Sequence, residues 1–177
     1  MPGFGRGLGG IALLLVLIAL LLFGGSEDDL TGDSPAGPSP AAPGASLTVP
    51  VSRVVDGDTF EIAVNGGTDD VRMIGVDTPE TVKPGSPVEC FGPQASEFTH
   101  RLLEGRTVRL EFDHERRDVY DRLLAYVYLG DRFVNAELVG GGYARTLEIE
   151  PNTSHAPQLA RLEEEAGAAG RGLWGAC

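Results

Sequence analysis

Lysine is nearly absent from this chain of 177 residues: Lys83 is the single one, and the other 13 basic residues are arginine. Acidic residues outnumber basic ones 26 to 14, a net charge of −12. That balance speaks against the broad basic face with which proteins usually hold nucleic-acid phosphates. An acidic, lysine-poor surface fits a protein working in high salt, where repulsion between like charges is strongly screened. A GC-rich coding sequence, which favours Arg, Ala and Gly, fits equally. Cysteine occurs only as Cys90 and the terminal Cys177. Neither Cys nor His stands at zinc-ligand spacing, which speaks against a zinc centre, and His100 and His114 read as surface or structural residues. The longest unbroken apolar run is residues 11–23, short of the roughly 20 residues of a typical spanning helix. No internal repeat is visible.

Three segments follow. Residues 1–25 carry Arg6 and then the apolar run, the pattern of an export signal. No small-x-small cleavage site follows closely and no cysteine is near to accept a lipid, so an uncleaved anchor is preferred over a cleaved signal. The expected location is the extracellular face, membrane-anchored through this segment or secreted after cleavage. Residues 26–46, rich in Pro, Ala, Gly, Ser and Asp, have no apolar period and read as a flexible linker. Residues 47–177 form the folded domain, with 13 basic against 22 acidic residues, a net −9. In an exported chain Cys90 and Cys177 point to a disulfide, two free thiols being the alternative. Closing so long a loop stabilises by roughly 4–5 kcal/mol in the chain-entropy view.

Within the domain, period-two patterns predict strands over 51–55, 60–64, 71–76 and 108–112, and a nearly all-apolar fifth over 123–129. Asn65-Gly66-Gly67 is a turn, and Lys83-Pro84-Gly85-Ser86-Pro87 puts 81–89 in a loop. Pro93 opens a helix whose face is Ala95, Phe98 and Leu102, and Gly105 stops it. A short helix is expected over 135–139 and a last one through Leu159, Leu162 and Ala166. Five short strands with helices inserted late indicate an α+β fold built on a small, partly open barrel of the oligonucleotide-binding (OB) type.

Chemistry concentrates in Asp56-Gly57-Asp58-Thr59 and in Arg72-Met73-Ile74-Gly75-Val76-Asp77-Thr78-Pro79-Glu80, with Arg122 opening the fifth strand. Carboxylates without histidine or thiol partners suit a hard cation held by oxygen. Arginines suit a phosphate, which their planar fork grips with two hydrogen bonds. Singly, each motif has a bland reading: Asp-Gly-Asp is a common turn, and a strand arginine usually faces solvent. A cation and two guanidiniums around one point is what phosphodiester cleavage requires.

The order of these motifs resembles the staphylococcal nuclease family. The resemblance spans about Val51 to Trp174 and includes Val55-Asp56-Gly57-Asp58-Thr59, Arg72, Val76-Asp77-Thr78-Pro79-Glu80-Thr81, Phe91-Gly92-Pro93-Gln94-Ala95-Ser96, Tyr120-Asp121-Arg122-Leu123-Leu124-Ala125-Tyr126, Val134-Asn135, Pro151-Asn152, His155 and Leu173-Trp174. It implies a five-stranded OB barrel with about three helices and a calcium-dependent nuclease cleaving DNA and RNA to 3′-phosphates. It further implies that Asp58 and Asp77 are calcium carboxylates, that Thr78 gives its backbone carbonyl, and that Asp56 holds water beside the metal. Glu80 matches the general base or water-orienting group, Arg72 and Arg122 the phosphate-gripping arginines, and Tyr120 a tyrosine near the substrate phosphate. Two departures stand out. Leu147-Glu148-Ile149-Glu150 replaces aromatic residues on which a base stacks, and Val119 takes a position where a basic residue is common; Arg116 and Arg117 are the residues placed to compensate, a solvated loop being the equal alternative.

Two other classes compete: a barrel that binds nucleic acid without cleaving it, and an acidic calcium-binding surface protein without catalysis. DNA and RNA are the expected partners, with the membrane if the N-terminal segment is retained; no protein partner is indicated.

Overall fold

The computed structural model describes residues 44–82 and 85–177. The N-terminal apolar segment and nearly all of the linker lie outside the described residues.

Five strands close into a barrel. β1 (Ser46–Val54), β2 (Thr59–Val64), β3 (Gly67–Met73), β5 (Thr107–Glu111) and β6 (Leu123–Leu129) run in the order β3-β2-β1-β5-β6. The ring shuts because β3 also pairs with β6, in parallel, with Val71 opposite Leu123 and Arg72 opposite Leu124. Closure leaves none of the five with a bare edge. β1 serves two neighbours: its first half, from Ser46 to Pro50, pairs with β5, and Val51, Arg53 and Val54 pair with β2. The register slips between Val51 and Arg53, the extra residue that turns a barrel corner. This extends the sequence expectation, which began the first strand at Val51. The segment before it alternates less clearly, and a bulge breaks any period-two count.

The interior follows the pleat. Phe60 and Ile62 from β2, Val71 and Met73 from β3, and Val108 and Leu110 from β5 are buried, with polar neighbours on the other face. β6 buries Ala125, Tyr126 and Val127 in succession, as a central strand covered on both sides does.

The expected strand over 71–76 is broken. Gly75 takes φ +76°, and a Cβ there would sit 2.6 Å from Leu159 Cδ1. The chain therefore leaves the barrel and continues as β4 (Gly75–Asp77), which pairs with β8 (Arg145–Leu147) in a separate two-stranded sheet. β8 was not legible beforehand, since its three residues carry no period. β7 (Arg132–Phe133) folds back on β6.

Helix α1 (Gly92–Leu103) buries Ala95, Thr99 and Leu103, a stripe one residue along from the expected face; Phe98 and Leu102 flank it, partly buried. α2 (Val134–Gly140) and α3 (Ala156–Ala168) pack beside β6 and β8, and the chain ends in α4 (Leu173–Ala176). Buried Asn135 knits these layers: its Oδ1 accepts from Val127 N at 2.9 Å and its Nδ2 donates to Ile74 O at 2.8 Å.

Candidate active site

The turn between β1 and β2 carries Asp56, Gly57 and Asp58, and its shape is set from outside. Thr99 of α1 donates its hydroxyl to Gly57 O at 2.6 Å. A Cβ on Gly57 would lie 2.7 Å from the Thr78 side chain, so glycine is what lets the turn close on the end of β4. Thr78 then donates both its backbone N–H and its hydroxyl to Asp58 Oδ2, each at 2.9 Å, while Thr59 donates its hydroxyl to Asp58 Oδ1 at 3.0 Å.

Arg72 completes the cluster. It points away from the barrel core, alternating with Val71 and Met73. Nη1 donates to Val76 O at 2.8 Å and to Met73 O at 3.2 Å and stands 3.2 Å from Asp58 Oδ2; Nη2 stands 3.3 Å from Asp77 Oδ1. Two carboxylates, one from the β1–β2 turn and one from the end of β4, thus meet at one guanidinium. Desolvation pushes the Asp77 carboxyl above the ordinary aspartate range; Arg72 pulls it down, and Asp58, Glu89 and Glu80 push it up again. Those influences locate the acids of the turn, of β4 and of the following loop in one field.

Asp56 is committed differently. Its Oδ1 accepts from Gly57 N at 2.8 Å and from the Thr81 hydroxyl at 2.7 Å, tying the β1–β2 turn to the loop after β4. Burial raises its carboxyl above the usual value, against the hydrogen bonds from Thr81 and Gly57. Glu80 lies in that same loop, where Val82 N donates to its Oε1 at 2.8 Å.

Arg122 and Arg72 both line a cavity of about 370 Å³, together with Tyr120, Val119, Leu147 and Ile149 among others. Arg122 is held by Asp118, which accepts from its Nε at 2.8 Å and its backbone N at 3.0 Å. Tyr120 lies under the guanidinium, 5.4 Å from carbon to ring centroid, and is 77% exposed. The cavity joins the arginines because of the parallel β3–β6 pairing: Arg72 is opposite Leu124, two residues beyond Arg122.

Among the described residues no group of three or more His, Cys, Asp or Glu side chains could hold a metal ion. Asp58 Oδ2 and Asp77 Oδ1 stand 3.2 and 3.3 Å from the two terminal nitrogens of Arg72, and carboxylate oxygens are the donor chemistry that a hard cation takes.

Residues 70–176 match the family described as staphylococcal nuclease homologue. The chain belongs to the staphylococcal nuclease family. It is 40% identical over 166 residues to the thermonuclease of Staphylococcus intermedius, covering 93% of this chain and 95% of that protein. It is 37% identical over 162 residues to the thermonuclease of Staphylococcus hyicus, covering 92% and 95%. It is also 42% identical over 130 residues to the endonuclease YncB of Bacillus subtilis, covering 72% and 62%.

Among family features, the expected substitutes for the missing basic residue are engaged elsewhere. Arg117 is paired with Asp69 at 2.6 Å, and Arg116 lies over the Phe112 ring at 4.0 Å. Cys90 and Cys177 are bonded. Sequence reasoning passed over Asp118, Thr99 and Glu89, which orient the arginine, the turn and the Glu80 loop. Asp118 stands four residues before Arg122, but a loop carries no periodicity to mark it.

Proposed function

We infer that this chain is a nuclease, a hydrolase of phosphodiester bonds in DNA or RNA, acting with calcium and leaving 3′-phosphates. Membership of the staphylococcal nuclease family supports the reaction class. The observation that carries the assignment to residues is Arg72, which touches Asp58 and Asp77 on one side and lines the cavity shared with Arg122 on the other.

In this reading Asp58, Asp77 and the Thr78 carbonyl hold the ion, and Asp56 fixes the turn and loop around it. Calcium, when bound, supplies a Lewis acid beside the scissile phosphate. Arg72 and Arg122 each offer a planar pair of N–H donors to the phosphate oxygens, where negative charge grows as water attacks. Asp118 holds Arg122 in orientation, so less motion is frozen when phosphate arrives. Glu80 accepts a proton from, or orients, the attacking water. Tyr120, beside the Arg122 guanidinium, stands near the phosphate, and the aliphatic residues Val119, Leu147 and Ile149 receive the nucleoside. With aliphatic walls in place of aromatic ones, base stacking of about 1–3 kcal/mol per base is reduced.

We place the enzyme outside the cytoplasm, tethered by residues 1–25 or released from them. The Cys90–Cys177 bond supports an oxidising compartment. Clearing of calf-thymus DNA in agar with calcium, and none with chelator, at low and high salt, is the expected result. No calcium-dependent clearing at any salt concentration would remove the enzyme reading. DNA binding without clearing would favour the non-catalytic module, and calcium binding without DNA binding the acidic surface protein.

A further inference from the structure

Glu80 is half-buried in the loop after β4, and its backbone is held at two points by one residue. Glu89 N donates to Glu80 O at 2.9 Å, and Glu80 N donates to Glu89 Oε2 at 3.1 Å. The next residue is Cys90, bonded to Cys177. Residues 85–90 are all exposed, so little buried apolar surface holds this segment down, and such segments open locally at low free-energy cost. The far end of the bond is firmly seated. Leu173 of α4 is buried, its N–H donates to Gly142 O at 2.9 Å, and Cys177 N closes the helix on Leu173 O at 3.1 Å. Phe91, with φ +67°, lays its ring 5.8 Å from that of Tyr143, beside the same Gly142 turn.

We propose that Glu89, anchored by the Cys90–Cys177 bond, is a positioning residue for Glu80, so that reducing this disulfide slows turnover through Glu80. The proposal rests on the role of Glu80 given above. A dithiol reductant such as dithiothreitol breaks the S–S bond, leaves two cysteine thiols and is itself oxidised to a cyclic disulfide. Residues 85–90 then lose their covalent tie to α4, the two Glu80–Glu89 hydrogen bonds open more often, and the Glu80 carboxylate leaves the geometry in which it meets water.

The test measures kcat and KM with calcium, well below the melting temperature, before and after dithiothreitol. Reduction lowers kcat by about tenfold, less than the roughly hundredfold that a full ångström of misplacement costs, and leaves KM within about twofold. Cys90→Ser/Cys177→Ser is as slow without reductant and indifferent to it; if that variant fails to fold, chemical reduction of the folded protein carries the test. Glu89→Ala is slowed about as much, whereas Glu89→Gln, whose amide oxygen still accepts from Glu80 N, stays within about twofold of the parent; equal slowing of the two would overturn the proposal. In Glu80→Gln, reduction has no further effect, because residues acting as one unit are not additive. Equal slowing of parent and Glu80→Gln by reductant would mark the bond as merely structural and overturn the proposal. If Glu80→Gln is slow and reduction leaves the parent's kcat unchanged, the positioning role fails alone. If Glu80→Gln keeps full kcat, the catalytic reading of Glu80 fails and takes the positioning role with it.

Discussion

Arg72 Nη1 stands 3.2 Å from Asp58 Oδ2. The same guanidinium reaches Asp77, so it balances the two carboxylates assigned to the cation while reaching the cavity assigned to the phosphate. Asp58 Oδ2 already accepts from Thr78 twice. In the proposed role, Asp58 and Asp77 would hold the cation, whose charge would offset theirs and leave the Arg72 fork for the phosphate.

Removing either arginine separates chemistry from folding. Arg72→Ala and Arg122→Ala are expected to lower kcat by roughly 100- to 1,000-fold, by analogy with loss of one oxyanion-hole donor, with the folded circular-dichroism spectrum retained. Arg72→Lys restores charge without the fork and recovers little. Near-normal activity in both alanine variants would refute the assignment.

Asp118 acts through Arg122. Asp118→Ala leaves that guanidinium without its partner, and we expect about a tenfold fall in kcat/KM. The discriminating measurement is a double-mutant cycle with Arg122→Ala. If Asp118→Ala costs as much when Arg122 is already gone, its role is structural.

Calcium dependence reports on Asp58. In Asp58→Ala the calcium concentration for half-maximal activity should rise by an order of magnitude or more, since each carboxylate carries much of the affinity of a hard-cation site. The same midpoint as in the parent, read by titration of DNA hydrolysis against free calcium, would remove Asp58 from the metal site.

Asp113 contributes to the pH dependence of stability. Burial would raise its carboxyl, but hydrogen bonds from the Ser154 N–H at 3.0 Å and hydroxyl at 2.9 Å outweigh it, and the carboxyl titrates below the ordinary 3.8. A depressed folded-state value means stability that is present above pH 3.8 and lost as pH falls through the folded value. Asp113→Ala, which takes the acceptor from the Ser154 donors and from the buried Tyr126 hydroxyl, should cost about 1–2 kcal/mol at neutral pH. Thermal melts of parent and variant should converge as the medium is acidified below the ordinary aspartate value. A constant gap down to the most acid melt would contradict the assignment.

Local chemistry was legible in the chain. Alternating apolar residues marked β2 and β5, a nearly all-apolar run marked β6, Pro93 and Gly105 bounded the first helix, and Asp58, Arg72, Asp77, Glu80 and Arg122 stood out as residue types suited to a cation and a phosphate. Polar residues on short elements stayed hidden: Asp118, Thr99 and Glu89 carry no period, and β8 is too short to have one.

The sequence by itself determined which side chains were available: two guanidiniums, paired carboxylates, and apolar strands enough for a barrel. Tertiary structure decided which of them meet. Gly75 throws Asp77 out of the barrel and onto β8, and the parallel β3–β6 closure sets Arg122 beside Arg72 although fifty residues of chain separate them. Periodicity reports what each segment buries, whereas partnership between segments is fixed by the closing of a curved sheet, a condition on all five strands at once.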